Sequence, residues 1–278
     1  MLQSDGRFAA TLKTTTGFIH MGSPLSPSPS ILIVGATSAI AEQCARRWAS
    51  DGAVSMTLVA RDAGKLQRVQ SDLRARYPSI SLSIQQCADF VDEASIGHQL
   101  DVAFARQVPD IVLIAHGDLP DQLACQADLA LLRQAIEVNG VSPALWLEGV
   151  VRRLDQAGRR GAVGVIGSVA GDRGRQSNYA YGAAKGMLDR YVQGLAHRLA
   201  LERSGVQVSI IKPGPTATPM TAHLLAAGQK MASAEDVADC IVNGMRAGQP
   251  VIYAPSMWRV IMMVIRHLPR FVFHRMKI

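Results

Sequence analysis

Ile31-Leu32-Ile33-Val34-Gly35-Ala36-Thr37-Ser38-Ala39-Ile40-Ala41 is the stretch that decides the fold of this chain. The unbroken apolar run Ile31 to Val34 reads as a strand buried on both faces. Small residues follow it into a tight turn, and helical sequence runs from about residue 40 to residue 50. A turn of this kind lets backbone N–H groups and a helix N-terminus come close to a pyrophosphate. Gly35, Thr37, Ser38, Ala39 and Ile40 are the candidate contacts. An ordinary strand-to-helix connection uses the same small residues, so the surrounding pattern has to decide.

That pattern alternates. Further strand-like runs fall at 56–59, 80–85, 111–114, 162–167, 206–211 and 251–253. Helical sequence lies between them, at 63–76, in one long region over 123–153, at 178–203 and at 234–246. Strands alternating with helices indicate an α/β protein with a doubly wound parallel sheet of about seven strands. There is no internal repeat and no linker that would split it. The reading is one catalytic domain over residues 31–256, a disordered lead-in over 1–30 and a tail over 257–278.

Composition agrees with one large core: the chain has 278 residues, 48% of them hydrophobic. Cys44, Cys87, Cys125 and Cys240 are scattered without a Cys-x-x-Cys spacing, so neither a disulfide framework nor a zinc site is expected. A reducing cytoplasm is the simplest setting, and nothing calls for a metal or a nucleic acid. No stretch reaches the ~20 apolar residues of a spanning helix. The first thirty residues lack a secretory apolar core, 22–30 reads as disordered, and Met21 is a second candidate start.

Chemistry collects at two places. Tyr181 and Lys185 stand four apart in a helical run, so they share one face a turn apart. An ammonium beside a phenol favours the phenolate and lowers the phenol's pKa from about 10. The second strand runs out into Arg61-Asp62, at the edge where a dinucleotide's adenosine ribose would lie. An acid there would bind a free 2′-OH, whereas Arg61 suits a 2′-phosphate, unless it is simply a solvated loop charge. NADP(H) is therefore the preferred cofactor and NAD(H) the alternative.

With these residues in order, the chain resembles a short-chain dehydrogenase/reductase over about residues 31–255, and the resemblance implies a Rossmann-like fold. The family's Gly-x-x-x-Gly-x-Gly turn falls on Gly35, Ala39 and Ala41, so two glycines are replaced by alanine. Asp89 matches the acid that contacts adenine. The motif after the fourth strand survives as Ala115-His116-Gly117, with only Gly117 kept; His116 either faces the cofactor or is a solvated or hydrogen-bonded loop residue. Ser168, thirteen residues before Tyr181, and Asn139 match the remaining catalytic positions. Pro213-Gly214 and Thr216 match the turn beside the nicotinamide. The resemblance implies that Tyr181 donates a proton to a ketone, Ser168 steadies the oxygen, Lys185 binds the cofactor ribose, and Asn139 holds a relay water. Structural readings stand beside these: Ser168 as a helix cap, Asn139 as a buried backbone partner, and Pro213-Gly214 as a plain turn. A homo-oligomer, dimer or tetramer, is carried over from the same likeness. A non-catalytic NAD(P)-sensing scaffold is the competing class.

The tail carries five Arg/Lys and no acid over residues 257–278, with Trp, Phe and apolar residues between them. As a helix to residue 268 it suits the headgroup region of an anionic membrane. Packing on its own domain, or closing an oligomer, is the alternative. Together with 168–179 and Lys212-Pro213-Gly214, the tail is similar to reductases of decaprenylphosphoryl keto-pentoses. That likeness implies a lipid-linked keto-sugar as substrate, against free ketones, 3-oxoacyl groups or steroid-like alcohols. Arg173 and Arg175 either meet a phosphate at the site's mouth or are solvated.

Overall fold

The computed structural model describes residues 28–276. The lead-in expected over 1–30 lies almost wholly outside the described residues, as do Lys277 and Ile278. Strand β1 (Ser30–Val34) is buried along its whole length, starting one residue before the apolar run. It is followed by α1 (Ala39–Ser50), β2 (Ser55–Ala60), α2 (Ala63–Arg76), β3 (Ser81–Gln86), α3 (Glu93–Arg106) and β4 (Ile111–Ile114). The second half contains α4 (Gln122–Ala127), α5 (Leu129–Ile136), α6 (Ser142–Gln156), β5 (Gly161–Ile166), α7 (Tyr179–Leu201) and β6 (Val206–Pro213). A small pair, β7 (Thr216–Ala217) and β8 (Ala232–Ser233), brackets α8 (Ala222–Ala226). Then come α9 (Ala234–Arg246), β9 (Val251–Ala254), α10 (Trp258–His267) and α11 (Arg270–Phe273).

Seven parallel strands form one sheet in the order β3-β2-β1-β4-β5-β6-β9. Successive side chains of a strand face opposite sides, so a strand buried on both faces must be apolar throughout. In β1, Ile31 and Ile33 pack with Trp48 of α1 and Ile241 of α9, while Leu32 and Val34 pack with Trp146 of α6 and Leu188 of α7. β4 divides the same way, with Leu113 in the first layer and Val112 in the second.

Helix starts follow side-chain caps. Asp62 accepts from Lys65 N at 2.8 Å and Asp92 from Ser95 N at 2.7 Å. The single helical region expected over 123–153 is in fact interrupted twice. Asp128 takes an extended backbone and accepts from Ala130 N at 2.7 Å, which ends α4 and starts α5. A π-helical turn, Glu137–Val141, then separates α5 from α6 and carries Asn139. β7, β8 and α8 were not legible as elements. The tail does form a helix, but Leu268-Pro269 stops α10 at His267.

Candidate active site

The strand order reverses between β1 and β4, and a cleft of about 1870 Å³ opens at the C-terminal ends of the strands there. Gly35 makes the turn out of β1 with φ +83°, and a Cβ on it would stand 2.5 Å from His116 N. Two segments from adjacent strands therefore approach at backbone distance, and both line the cleft.

Tyr181, Lys185 and Ser168 converge on the cleft wall from α7 and the end of β5. The Ser168 hydroxyl is near enough to the Tyr181 phenol to lower its pKa. Ser168 is also the expected cap: its Oγ accepts from Ala170 N at 3.1 Å at the start of a 3-10 turn. Lys185 is buried, and its Nζ donates to Ile166 O at 2.9 Å and lies 5.7 Å from the Tyr181 ring centroid. The lowering of the phenol by Lys185, read from their spacing, is not found in the free protein. Burial pushes Tyr181 up to about 12; Ser168 pulls it down and the Asp118 carboxylate pushes it up. Burial draws the Lys185 ammonium itself down to about 8, against the opposing pull of Asp118. Asp118 was missed at the sequence level. Its local sequence is an ordinary loop, and its hydrogen-bond partner, Asn139, comes from the distant π turn.

Asn139 is fully buried. Its Nδ2 donates to Asp118 Oδ1 at 2.6 Å and to Ala135 O at 3.0 Å, while its Oδ1 accepts from Asp118 N at 3.0 Å. The backbone-partner reading of Asn139 therefore holds, and these bonds fix the loop after β4. Gly117, in that loop, leaves only 2.8 Å between its Cβ position and Asn139 Oδ1.

The cofactor candidates occupy the same cleft. Thr37, Ser38, Ala39 and Ile40 line it at the start of α1, and Ser38 makes no side-chain cap, so it leaves the first-turn N–H groups uncapped among the described residues. Those donors fit a pyrophosphate. Ala41, at a family glycine position, packs its methyl into the core, so the replacement leaves the cleft side unobstructed. Arg61 lines the cleft at the end of β2 together with Lys65 and Arg68, two cations from α2 that sequence reading passed over. Asp89 is exposed and its Oδ1 accepts from Val91 N at 2.8 Å. Ala115 is buried against β1 through Ala115 N to Val34 O at 2.8 Å. Thr216 is buried and gives its hydroxyl hydrogen to Gly214 O at 2.9 Å, inside its own turn beside Pro213. His116 is the hydrogen-bonded loop residue: Nε2 pairs with Ser142 Oγ at 2.7 Å, and burial lowers its pKa to about 3.

The short chain dehydrogenase family matches residues 29–228. The chain is a short-chain dehydrogenase. An uncharacterized oxidoreductase of Mycobacterium tuberculosis is 33% identical over 247 residues, covering 88% of this chain and 96% of the relative. Sulfoacetaldehyde reductase 2 of Chromohalobacter salexigens is 29% identical over 194 residues, covering 70% and 75%. Among solved structures, a short-chain dehydrogenase from Sphingobium yanoikuyae in complex with NADPH superposes with a TM-score of 0.70 at 22% identity, over 87% of this chain and 97% of that one.

The tail of this dehydrogenase meets the site from behind. Trp258 packs on Gly214 so closely that a Cβ there has no room, and Met262 is completely buried. Arg173 is neither solvated nor offered to a phosphate. It donates to Ile265 O and to Leu268 O at the C-terminus of α10, and lies 3.8 Å over the Phe273 ring. Arg175 does line the cleft, and reaches Met262 Sδ at 3.5 Å.

Proposed function

We propose that this short-chain dehydrogenase interconverts a ketone and a secondary alcohol with NADP(H), using Tyr181 as proton donor. The observation that carries this reading is the convergence of Tyr181, Ser168 and Lys185 on one wall of the cleft. A bound nicotinamide supplies the hydride. A carbonyl oxygen received between the phenol and the Ser168 hydroxyl is polarised by both, and the phenol hydrogen moves to it as charge develops. Lys185 holds positive charge beneath the phenol and would bind the cofactor ribose. Asn139 keeps the Asp118 loop in place beside them.

Arg61, Lys65 and Arg68 supply positive charge for a 2′-phosphate, which supports NADP(H) over NAD(H). NADPH is expected to give the higher kcat/KM across a ketone panel. Arg61→Ala should cut the NADPH/NADH ratio by roughly 10-fold or more, the worth of one charge-assisted bond. A native preference for NADH, or an unchanged ratio in the variant, would reject the assignment.

A lipid-linked keto-sugar is the finer reading of the substrate, and the outer face of α10 favours it. Trp258, Ile261, Met262 and Ile265 lie on the inner side, at helical spacing. Val260, Met263 and Val264 are exposed beside Arg259 and Arg266, and Phe271 of α11 extends the patch. No helix among the described residues is long and apolar enough to cross a membrane. An apolar face between arginines instead suits the surface of an anionic bilayer. The enzyme should co-sediment with anionic vesicles, and Met263→Glu with Phe271→Glu should abolish this without unfolding, because both side chains are exposed (57% and 68%). Native protein left in the supernatant would favour a soluble ketone substrate instead. Met187 and Tyr191 of α7 and Leu129 and Leu131 of α5 are also exposed, which supports the homo-oligomer carried over from the family.

A further inference from the structure

Three cleft-lining side chains around the start of α7 hold buried polar atoms with no partner among the described residues: Arg175 Nε, Gln122 Nε2 and Asn178 Oδ1. They belong to one corner. Gln122 Oε1 accepts from Ala180 N at 2.9 Å, and Asn178 N donates to Arg175 O at 3.4 Å. The guanidinium of Arg175 has no ion pair among the described residues, and its recorded hydrogen bond goes to the Met262 sulfur, a weak acceptor. The carboxylate closest to it in sequence, Asp172, is taken by Lys212 Nζ at 2.6 Å and Tyr253 OH at 2.8 Å. Asp121 also lines this side of the cleft, but its Oδ1 caps α4 by accepting from Ala124 N at 2.7 Å. Asp118 is held by Asn139.

A partly buried cation without an ion-pair partner is costly, and Asp172, engaged by Lys212, offsets it only through space. Burial shows its effect on Arg175, whose pKa is lowered. A ligand that brings an anionic group to the cleft face of Arg175 supplies the missing counter-charge, and a carboxylate, sulfonate or phosphate matches the planar guanidinium fork. We propose that Arg175 receives an anionic oxyacid group on the substrate, set apart from the carbonyl that faces Tyr181. This inference rests on the reading of Tyr181 as the reacting end of the cleft. It makes Arg175 a specificity-determining residue, and it separates the two arginines that look alike in sequence: Arg173 holds the tail and Arg175 holds the substrate.

The test compares levulinate with its methyl ester, which differ in the anionic group and share the ketone. Binding to the NADP-loaded enzyme is read by calorimetry and turnover by NADPH oxidation. The acid should bind roughly 10- to 100-fold more tightly than the ester, the range of a charge-assisted pair. Arg175→Met should bring the two within about threefold, and Arg175→Lys should restore part of the difference. Dihydroxyacetone phosphate and a vesicle-borne polyprenyl-phosphate keto-sugar form two more arms. Dependence on Arg175 in the soluble arms assigns a free acid, and dependence only in the vesicle arm assigns a lipid phosphate. Native protein that binds levulinate and its methyl ester alike, and that takes neither dihydroxyacetone phosphate nor the vesicle-borne keto-sugar, overturns the inference, and that comparison needs no variant to fold. Acid preference in a protein that reduces no ketone would keep this inference and reject the Tyr181 reading; equal turnover of acid and ester would do the reverse.

Discussion

Tyr181→Phe is expected to lower kcat/KM for ketone reduction by about 10²- to 10⁴-fold, the usual share of a positioned proton donor. The ring stays and its packing on the cleft wall is kept, so NADPH affinity should change by no more than about threefold. What is lost is the hydroxyl that faces the cleft beside Ser168. A stopped-flow or steady-state assay of NADPH oxidation, with NADPH binding followed by fluorescence, separates the two effects. Near-normal turnover in the variant would sink the proton-donor reading. The pH dependence has a definite sign. Burial pushes the phenol up to about 12, so in the free enzyme the protonated donor dominates through the neutral range. Reduction by native enzyme should therefore be nearly flat between about pH 6 and 8. Alcohol oxidation needs the phenolate as base, and its rate should rise with pH over the same interval.

The turn after β1, the alternation of strands with helices and the convergence of Ser168, Tyr181 and Lys185 were legible because each rests on local pattern. An unbroken apolar run demands burial on both faces, and a four-residue helical spacing fixes a shared face. What was not legible depends on distant partners. Nothing around Arg173 in sequence shows that its hydrogen bonds end on Ile265 and Leu268, or that Phe273 lies beneath it. Asp118 looks like a loop acid until α5 and the π turn bring Asn139 to it. The helix break at Asp128 was locally signalled by an N-cap residue type, but the apolar content of the flanking segments masked it. The phenol's pKa was misread for a related reason. Spacing reports which charges are near and says nothing about how much water the fold removes, and here desolvation outweighs every charge.

Lys212→Met is expected to cost about 3–5 kcal/mol of stability, the range seen when one partner of a buried ion pair is removed. Lys212 lies at the end of β6, and its side chain is 4% exposed. Its Nζ bonds Asp172 Oδ1 at 2.6 Å and Asp189 Oδ2 at 3.1 Å, and the side chains of both acids are no more than 3% exposed. Tyr253 of β9 donates to the other oxygen of Asp172 at 2.8 Å. One ammonium thus ties the loop after β5, helix α7 and two neighbouring strands. Without it, Asp172 would lose its cation in a desolvated space beside Asp189, which would keep only the exposed Arg190 at 3.2 Å and whose Oδ1 already lacks a partner among the described residues. Methionine fills much of the volume, so the loss would report charge rather than a cavity. Denaturant unfolding measures it, and a loss below about 1 kcal/mol would show that the network is not a structural tie. A double-mutant cycle with Asp172→Asn should show coupling of about 1 kcal/mol or more, because the two groups touch. Asp172 also stands next to Arg173, which holds the end of α10, so the same variant should loosen the segment carrying Arg173 and Arg175. The expected kinetic signature is a raised KM for ketone.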